Sequence, residues 1–287
     1  MTIRVLGGGD EGTLEAFLVQ HRDTSMFLRA NARDAGLEYR GQWGGAEYCA
    51  SFDGAAITGV AAHCWSGTLL LQAPRHAGAL ARACVQTSGR SVSGLLGPPE
   101  QVAAARAALG LADVPATADK PETLYAVDPS RVVVPRSLAA GEIMCRPPQA
   151  RERPELHAWG FEYDKETLGA TDTPDARRRS ADFMDKRIDL GAAWVAVDRD
   201  DTLLSFASFN AVLPDIVQLG GIYTPPAHRG RGYAKAVVAH ALRVARERGA
   251  TRAVLFTPNP SAARAYEAVG LERAGSYALV LFDPGRP

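Results

Sequence analysis

The stretch Ile216-Val-Gln-Leu-Gly-Gly-Ile-Tyr-Thr224, then Pro225-Pro-Ala227, then His228-Arg-Gly-Arg-Gly-Tyr-Ala234 decides the fold of the C-terminal half. The first segment is apolar and β-branched, which predicts a strand. The last holds two glycines and two arginines, which predicts a turn. Beyond it Ala234, Val237, Val238, Ala241, Leu242 and Ala245 recur at helical spacing. The order is therefore strand, glycine-rich turn, helix. The first N–H groups of such a helix lack intrahelical partners, and the helix dipole adds positive potential there. An anion fits that place. Gly230 and Gly232 let the backbone approach a ligand with no Cβ in the way.

Spacing separates this turn from other phosphate loops. A Walker loop needs Gly-x-x-x-x-Gly-Lys-Ser/Thr, which the chain lacks. A dinucleotide turn needs a third glycine where Lys235 stands. What remains is Arg229-x-x-Gly232-x-Ala234, which as an isolated pattern also fits an ordinary turn solvated by basic residues. Farther on comes Asn259-Pro-Ser-Ala262-Ala-Arg-Ala-Tyr266-Glu-Ala-Val-Gly270-Leu271. Ala250 to Phe256 reads as a strand before it, and Ser261 to Val269 as a short helix. Together the two motifs resemble the GNAT family of acyl-CoA-dependent N-acyltransferases, with Leu271 where the family usually has Phe. The resemblance spans roughly residues 141–287 and implies that the strands on either side of the helix splay apart around a pantetheine arm.

Composition narrows the class. Of 287 residues, 46% are hydrophobic and 22% charged, enough apolar material for a sizeable core. Thirty-two basic residues balance 32 acidic ones, so charge argues for neither a nucleic-acid nor a membrane partner. No apolar run is long enough for a membrane helix, and the N-terminus does not read as a signal peptide. Cys49, Cys64, Cys84 and Cys145 show no Cys-x-x-Cys spacing, and the six histidines form no His-x-x-x-His pair. Reduced thiols, a cytoplasmic location and no metal site are the expectations.

The N-terminal half can be laid over the C-terminal half. Gly97-Pro-Pro-Glu-Gln-Val-Ala-Ala-Ala-Arg-Ala-Ala-Leu-Gly-Leu111 aligns without a gap to Thr257–Leu271 at an offset of 160. Each segment follows a strand, turns at proline and ends an alanine-rich helix at Gly-Leu, glycine being a natural helix C-cap. Upstream, Thr13 to Arg33 reads as a helix, Glu47 to Phe52, Ala56 to Cys64, Thr68 to Gln72 and Ser91 to Leu96 as strands, and Gly78 to Gln86 as a helix. The expected fold is α/β: two tandem GNAT-like domains, each a mixed, mostly antiparallel sheet flanked by helices. Residues 1–138 form a degenerate N-terminal domain and residues 139–287 the catalytic domain. Degeneracy is read from Ala73-Pro-Arg-His-Ala-Gly-Ala-Leu80 in place of the loop signature, and from Pro99 and Arg106 opposite Asn259 and Tyr266. In the catalytic half, helices at Pro154–Leu168 and Ala176–Asp189 and strands at Ala193–Asp198 and Leu203–Ala211 precede the loop strand, and Tyr277 to Phe282 closes the sheet.

The resemblance implies the roles. Residues Arg229, Gly230, Arg231, Gly232, Tyr233 and Ala234 cradle the pyrophosphate of acetyl-CoA. Ile222, Tyr223 and Thr224 meet the pantetheine through their backbone, Asn259 bonds pantetheine or nearby backbone, and Tyr266 is the general acid for the thiolate. A general base is less legible. Some members carry Glu where this chain has Gln218, and an amide cannot accept the proton. Asp215, or Glu162 through water, is the candidate; Asp164 and Glu166 lie in the same helical stretch, which the resemblance puts beside the acceptor site, and no base is needed if the amine arrives neutral. The two-domain layout is similar to glycine N-acyltransferase-like proteins, which implies acetyl transfer to the primary amine of a small molecule or amino acid by a monomer or homodimer. Transfer to a protein or peptide, and acyl-CoA sensing without catalysis, are the alternatives.

Overall fold

A computed structural model describes residues 2–282, which divide into two compact units, 2–122 with 276–282, and Thr123–Gly275. The first unit opens with β1 (Thr2–Val5), α1 (Glu11–Leu18) and α2 (Met26–Ala35). It continues through β2 (Ala46–Asp53), β3 (Ala56–Cys64), β4 (Thr68–Gln72), α3 (Ala77–Ser88), β5 (Gly94–Gly97) and α4 (Pro99–Ala108). Next, β6 (Ala116–Val127) carries the chain into the second unit. There follow α5 (Arg136–Ala139), β7 (Met144–Arg146), α6 (Arg153–Leu168), α7 (Pro174–Asp189), β8 (Ala193–Val197) and β9 (Leu203–Val212). The chain ends with β10 (Ile216–Tyr223), α8 (Tyr233–Glu247), β11 (Arg252–Thr257), α9 (Pro260–Glu267) and β12 (Glu272–Phe282).

Both units repeat one order: strand, two helices, three antiparallel strands, helix, parallel strand, helix. In the first, the strand sequence is β1-β2-β3-β4-β5-β12, and in the second β7-β8-β9-β10-β11-β6. Among the described residues, the parallel pair in each unit is the one bridged by the loop helix, β4 with β5 and β10 with β11. A parallel pair needs a crossover, and α3 and α8 supply it. The duplication expected from the 97–111 and 257–271 segments is therefore the fold of the described residues.

Three expectations need correction. The helix expected over Thr13–Arg33 is two helices joined by a short 3₁₀ turn at Val19–His21. Between the two helices the Thr24 hydroxyl is anchored to Gln72 Oε1 at 2.7 Å, a long-range bond that local periodicity does not encode. The strand at Tyr277–Phe282 does not close the C-terminal sheet: Ala278 to Leu281 pair antiparallel with Gly97 to Gly94 in the first unit. In its place, Thr123 to Val127 of β6 pair with Thr257 to Ala253 of β11. The compact units accordingly divide at residues 122/123 and 275/276, where the sequence reading placed one boundary at 138/139.

In the second unit the sheet is sandwiched. On one face α8 buries Ala236, Val237, Ala241, Leu242 and Ala245 against Trp194, Val217 and Leu219. Full burial of a side chain such as Leu242 stabilises the fold by about 1.5–3 kcal/mol. On the other face Leu156 and Trp159 of α6 and Met184 of α7 pack on Val195, Phe206 and Tyr223. The third helix face of interest is the close approach of α6 to α7 at Gly160, where a Cβ would stand 3.1 Å from Met184 Cε.

Candidate active site

β10 pairs with β11 only through Ile216, Val217 and Gln218, whose partners are Arg252, Ala253 and Val254. From Leu219 to Tyr223 it keeps only its β9 neighbour, while β11 continues to Thr257 along β6. The two strands thus separate after Gln218. Two irregularities in the β9 pairing accompany the separation. One makes Asn210 an extra residue opposite Gln218/Leu219; the other lies at Gly221 and Ile222, with Gly221 at φ +61°. Such bulges bend a strand and re-aim its backbone.

The turn between β10 and α8 has the geometry of an anion cradle. Gly230 and Gly232 have φ +78° and +85°, a region that side-chain-bearing residues rarely adopt. Gly232 is the N-cap of α8 and brings no side-chain cap, so the first N–H groups of a 15-residue helix have no side-chain acceptor there. Arg231 is exposed, and Tyr233, Ala234 and Lys235 are half-buried. Arg229 is less free than the sequence implied: Nε donates to the Thr224 carbonyl at 2.9 Å and Nη2 pairs with Glu166 at 2.7 Å. The residues present suit a pyrophosphate at this helix start and an extended arm along Leu219–Tyr223.

Asn259 caps α9, its Oδ1 accepting from Ser261 N–H at 2.9 Å and Ala262 N–H at 3.4 Å. Pro260 at the first helical position completes that cap, because a missing N–H costs nothing there. Ile222 is half-buried; Tyr223 is buried with its ring 6.1 Å from Trp159. The Tyr223 carbonyl and the Thr224 hydroxyl both meet Ser205 Oγ, at 3.0 and 2.8 Å. Tyr266 lies in the α8 core at 6% exposure. Burial pushes its phenol pKa well above the ordinary value, with the Tyr163 hydroxyl adding to the rise. Burial thus favours the protonated phenol at rest.

Of the two base candidates, Asp215 is not brought to the strand separation. Asp215 precedes the paired end of β10, where its carbonyl accepts from Thr251 N–H at 2.9 Å. It stands five residues before Gly220, roughly 17 Å along the strand. Glu162 of α6 is half-exposed and paired with Lys165 Nζ at 2.7 Å, and its charge acts on Tyr223 at the end of the separated stretch. What the structure brings to the α6/α7 face instead is Asp164, Arg187 and Asn210. Burial raises the Asp164 pKa, against a hydrogen bond from Ser180 and the pull of Arg187. Arg187 donates to Asn210 Oδ1 at 2.8 Å, and burial lowers its pKa. The alternation of β9 could have flagged Asn210, a polar residue inside an apolar strand.

The first unit lacks this opening. Its β4–β5 pairing runs from Thr68–Gly94 to Leu70–Leu96. Gly97 then lies so near β4 that a Cβ would stand 2.6 Å from the Leu71 carbonyl oxygen. Gln101 Oε1 accepts the Ala73 N–H at 2.6 Å, occupying the start of the loop with a side chain. Arg106, opposite Tyr266 in the duplicated order, clasps the Leu111 and Val114 carbonyls and Asp119.

A concavity of about 640 Å³ opens elsewhere in the second unit, between Ile143, Cys145, Arg146, His240 and Arg243. His240 is seven residues down α8 from Tyr233, roughly 10 Å, so this is not the anion cradle. Among the described residues no cluster of His, Cys, Asp or Glu could hold a metal, and no helix is long and apolar enough to cross a membrane.

Residues 154–271 match the family model described as the acetyltransferase (GNAT) family. No curated protein matches the chain. Solved structures share the fold over nearly the full length. A Drosophila protein has TM-score 0.68 at 11% identity, covering 97% of this chain and 98% of its own. A GCN5-related N-acetyltransferase from Kribbella flavida has TM-score 0.56 at 18% identity, covering 92% and 95%. A tandem GNAT protein from the clavulanic acid biosynthesis pathway has TM-score 0.52 at 15% identity, covering 100% and 99%. With the strand separation, the glycine cradle and this match in agreement, residues 154–271 are a domain of the acetyltransferase (GNAT) family.

Proposed function

We propose that this chain is an N-acetyltransferase that carries an acetyl group from acetyl-CoA to the primary amine of a small molecule or amino acid. One observation carries the reading: β10 leaves β11 after Gln218, and the freed strand runs on through the glycine turn into an uncapped helix start. The free edge of Leu219–Tyr223 offers peptide groups to an amide-bearing arm, as a sheet edge does to an added strand. Bound acetyl-CoA supplies an activated thioester. The chain's own residues do the rest.

Holding amine and thioester in contact supplies much of the rate. The amine arrives as an ammonium and must lose a proton before it attacks. Asp164, with its raised pKa and its place on the α6/α7 face, is better set to take that proton than Asp215 or Glu162. The N–C bond then forms as the C–S bond breaks. The nitrogen gives up a second proton, the leaving thiolate takes one from Tyr266, and Tyr266 is reprotonated. The balance is one ammonium and one thioester in, one amide, one thiol and one proton out.

Tyr266→Phe tests the assignment. It should lower kcat by about 100-fold or more, the usual scale for losing a general acid. Calorimetry should show the acetyl-CoA Kd unchanged. A parallel loss of affinity would make Tyr266 a packing residue.

A further inference from the structure

The face of β9 and β10 beneath α6 and α7 carries two hydrogen-bond donors that lack an anion. Val217 and Leu219 pack into the core under α8, so strand alternation turns Gln218 and Gly220 to the opposite face. Gln218 is 2% exposed, and its Nε2 has no hydrogen-bond partner in the structure. Leaving a buried amide donor unsatisfied costs about 1–3 kcal/mol. It sits at the last paired position before the strands separate.

Arg187, in the last turn of α7, is the second donor. Its Nη2 bonds the neutral Asn210 Oδ1 at 2.8 Å. Asn210 fills the space beside Gly220 so fully that a Cβ there would stand 1.9 Å from its Nδ2. Arg187 Nη1 is 4.0 Å from where a Cβ on Gly221 would be. The guanidinium therefore lies against the Gly220–Gly221 backbone, on the stretch of β10 that β11 has left. Among the described residues no carboxylate is in ion-pair contact with it, although Asp164 and the Tyr163 hydroxyl act on it electrostatically. Tyr163 acts likewise on Tyr266.

We infer that the acceptor amine carries a carboxylate, which Arg187 and Gln218 hold against the Gly220–Gly221 turn while its amino group faces Asp164. The substrate class is a free amino acid or another small aminocarboxylate. The inference rests on the proposed acetyl transfer and narrows its acceptor. A guanidinium fork matches the two oxygens of a carboxylate, and the Gln218 amide donates to one of them. Charge agrees: one cation and one carboxylate on this face meet one carboxylate and one ammonium on the ligand. A plain alkylamine would leave Gln218 Nε2 without an oxygen and Arg187 with only the neutral Asn210 Oδ1.

The test compares an amino acid, its carboxamide and its decarboxylated amine as acceptors, read by thiol release, for wild type, Arg187→Gln, Arg187→Lys and Gln218→Met. Calorimetry of the N-acetyl amino acid and its N-acetyl amide, with free CoA present, gives a readout that needs no turnover. Wild type should prefer the free acid by about 30-fold or more in kcat/KM, the scale of a site that loses a paired polar group. Arg187→Gln should raise KM for the acid by about 30-fold and move KM for the carboxamide by no more than about threefold, with Lys recovering part of the loss. Gln218→Met should raise KM for the acid by about 10-fold, the loss of one hydrogen bond to a charged group. Equal use of all three acceptors, equal losses for all three in Arg187→Gln, or no binding of the N-acetyl acid would overturn the inference. If wild type bound no acetyl-CoA, the proposed activity itself would fail. Acetyl-CoA binding without a carboxylate preference would sink only the inference.

Discussion

Gly232→Glu is expected to abolish acetyl-CoA binding, with Kd rising by about 100-fold or more, ~2.7 kcal/mol. Two effects add. Gly232 has φ +85°, and a Glu there adopts a conformation that costs an L-residue roughly 1–2 kcal/mol. Its carboxylate would also stand at the α8 N-terminus, where it would claim the N–H groups and dipole that an incoming pyrophosphate needs. Gly232→Asn separates the two, because Asn tolerates the left-handed region and brings no charge. It should retain binding within about 10-fold. Calorimetry of wild type should give one equivalent per chain, since the first unit keeps β4 and β5 together and fills its loop with Gln101. Two equivalents, or full binding by the Glu variant, would place the cofactor elsewhere. A thermal midpoint close to wild type shows that the variant's loss is local.

Glu122→Gln should stabilise the protein at alkaline pH and do little in acid. Glu122 is 8% exposed in β6, and burial pushes its pKa from 4.5 up to about 7. The sign follows from linkage. Between those two values the folded chain holds a proton that the unfolded chain has released, so stability falls as pH rises. Above about 7 both states are ionised and the full cost of the buried carboxylate remains, ~3 kcal/mol. Gln carries no such charge. Urea unfolding at pH 8.5 should show Glu122→Gln more stable by about 2–3 kcal/mol, shrinking to within about 0.5 kcal/mol near pH 4. The same difference at both pH values would mean that Glu122 is solvated or paired in solution.

Much of the second unit was legible because its signals are local. The strand expected at Ile216–Thr224 is Ile216–Tyr223, and the helix after the glycine turn is Tyr233–Glu247. The helices expected at Pro154–Leu168 and Ala176–Asp189 are Arg153–Leu168 and Pro174–Asp189. Periodicity, a proline at the first helical position and left-handed glycines each act within a few residues. The site was less legible. Asp215 looked suitable because it is acidic and near Gln218 in sequence, but the strand carries it to the paired end. Asp164, Arg187 and Asn210 come from three elements, and only the packing of α6 and α7 on the β9 bulge brings them together.

The sequence by itself determined that the chain holds two copies of one α/β order and that only the second carries a glycine cradle at a helix start. Those features follow from side-chain period, turn chemistry and backbone freedom, which each residue carries wherever it is placed. Only the tertiary structure decided which final strand completes which sheet, that β10 and β11 part after Gln218 while Gly97 stays against Leu71, and that a guanidinium with no carboxylate in contact lies beside the opening. Strand partnership, bulges and the burial of charge depend on residues far apart in the chain, and their energies exist only once those residues are packed.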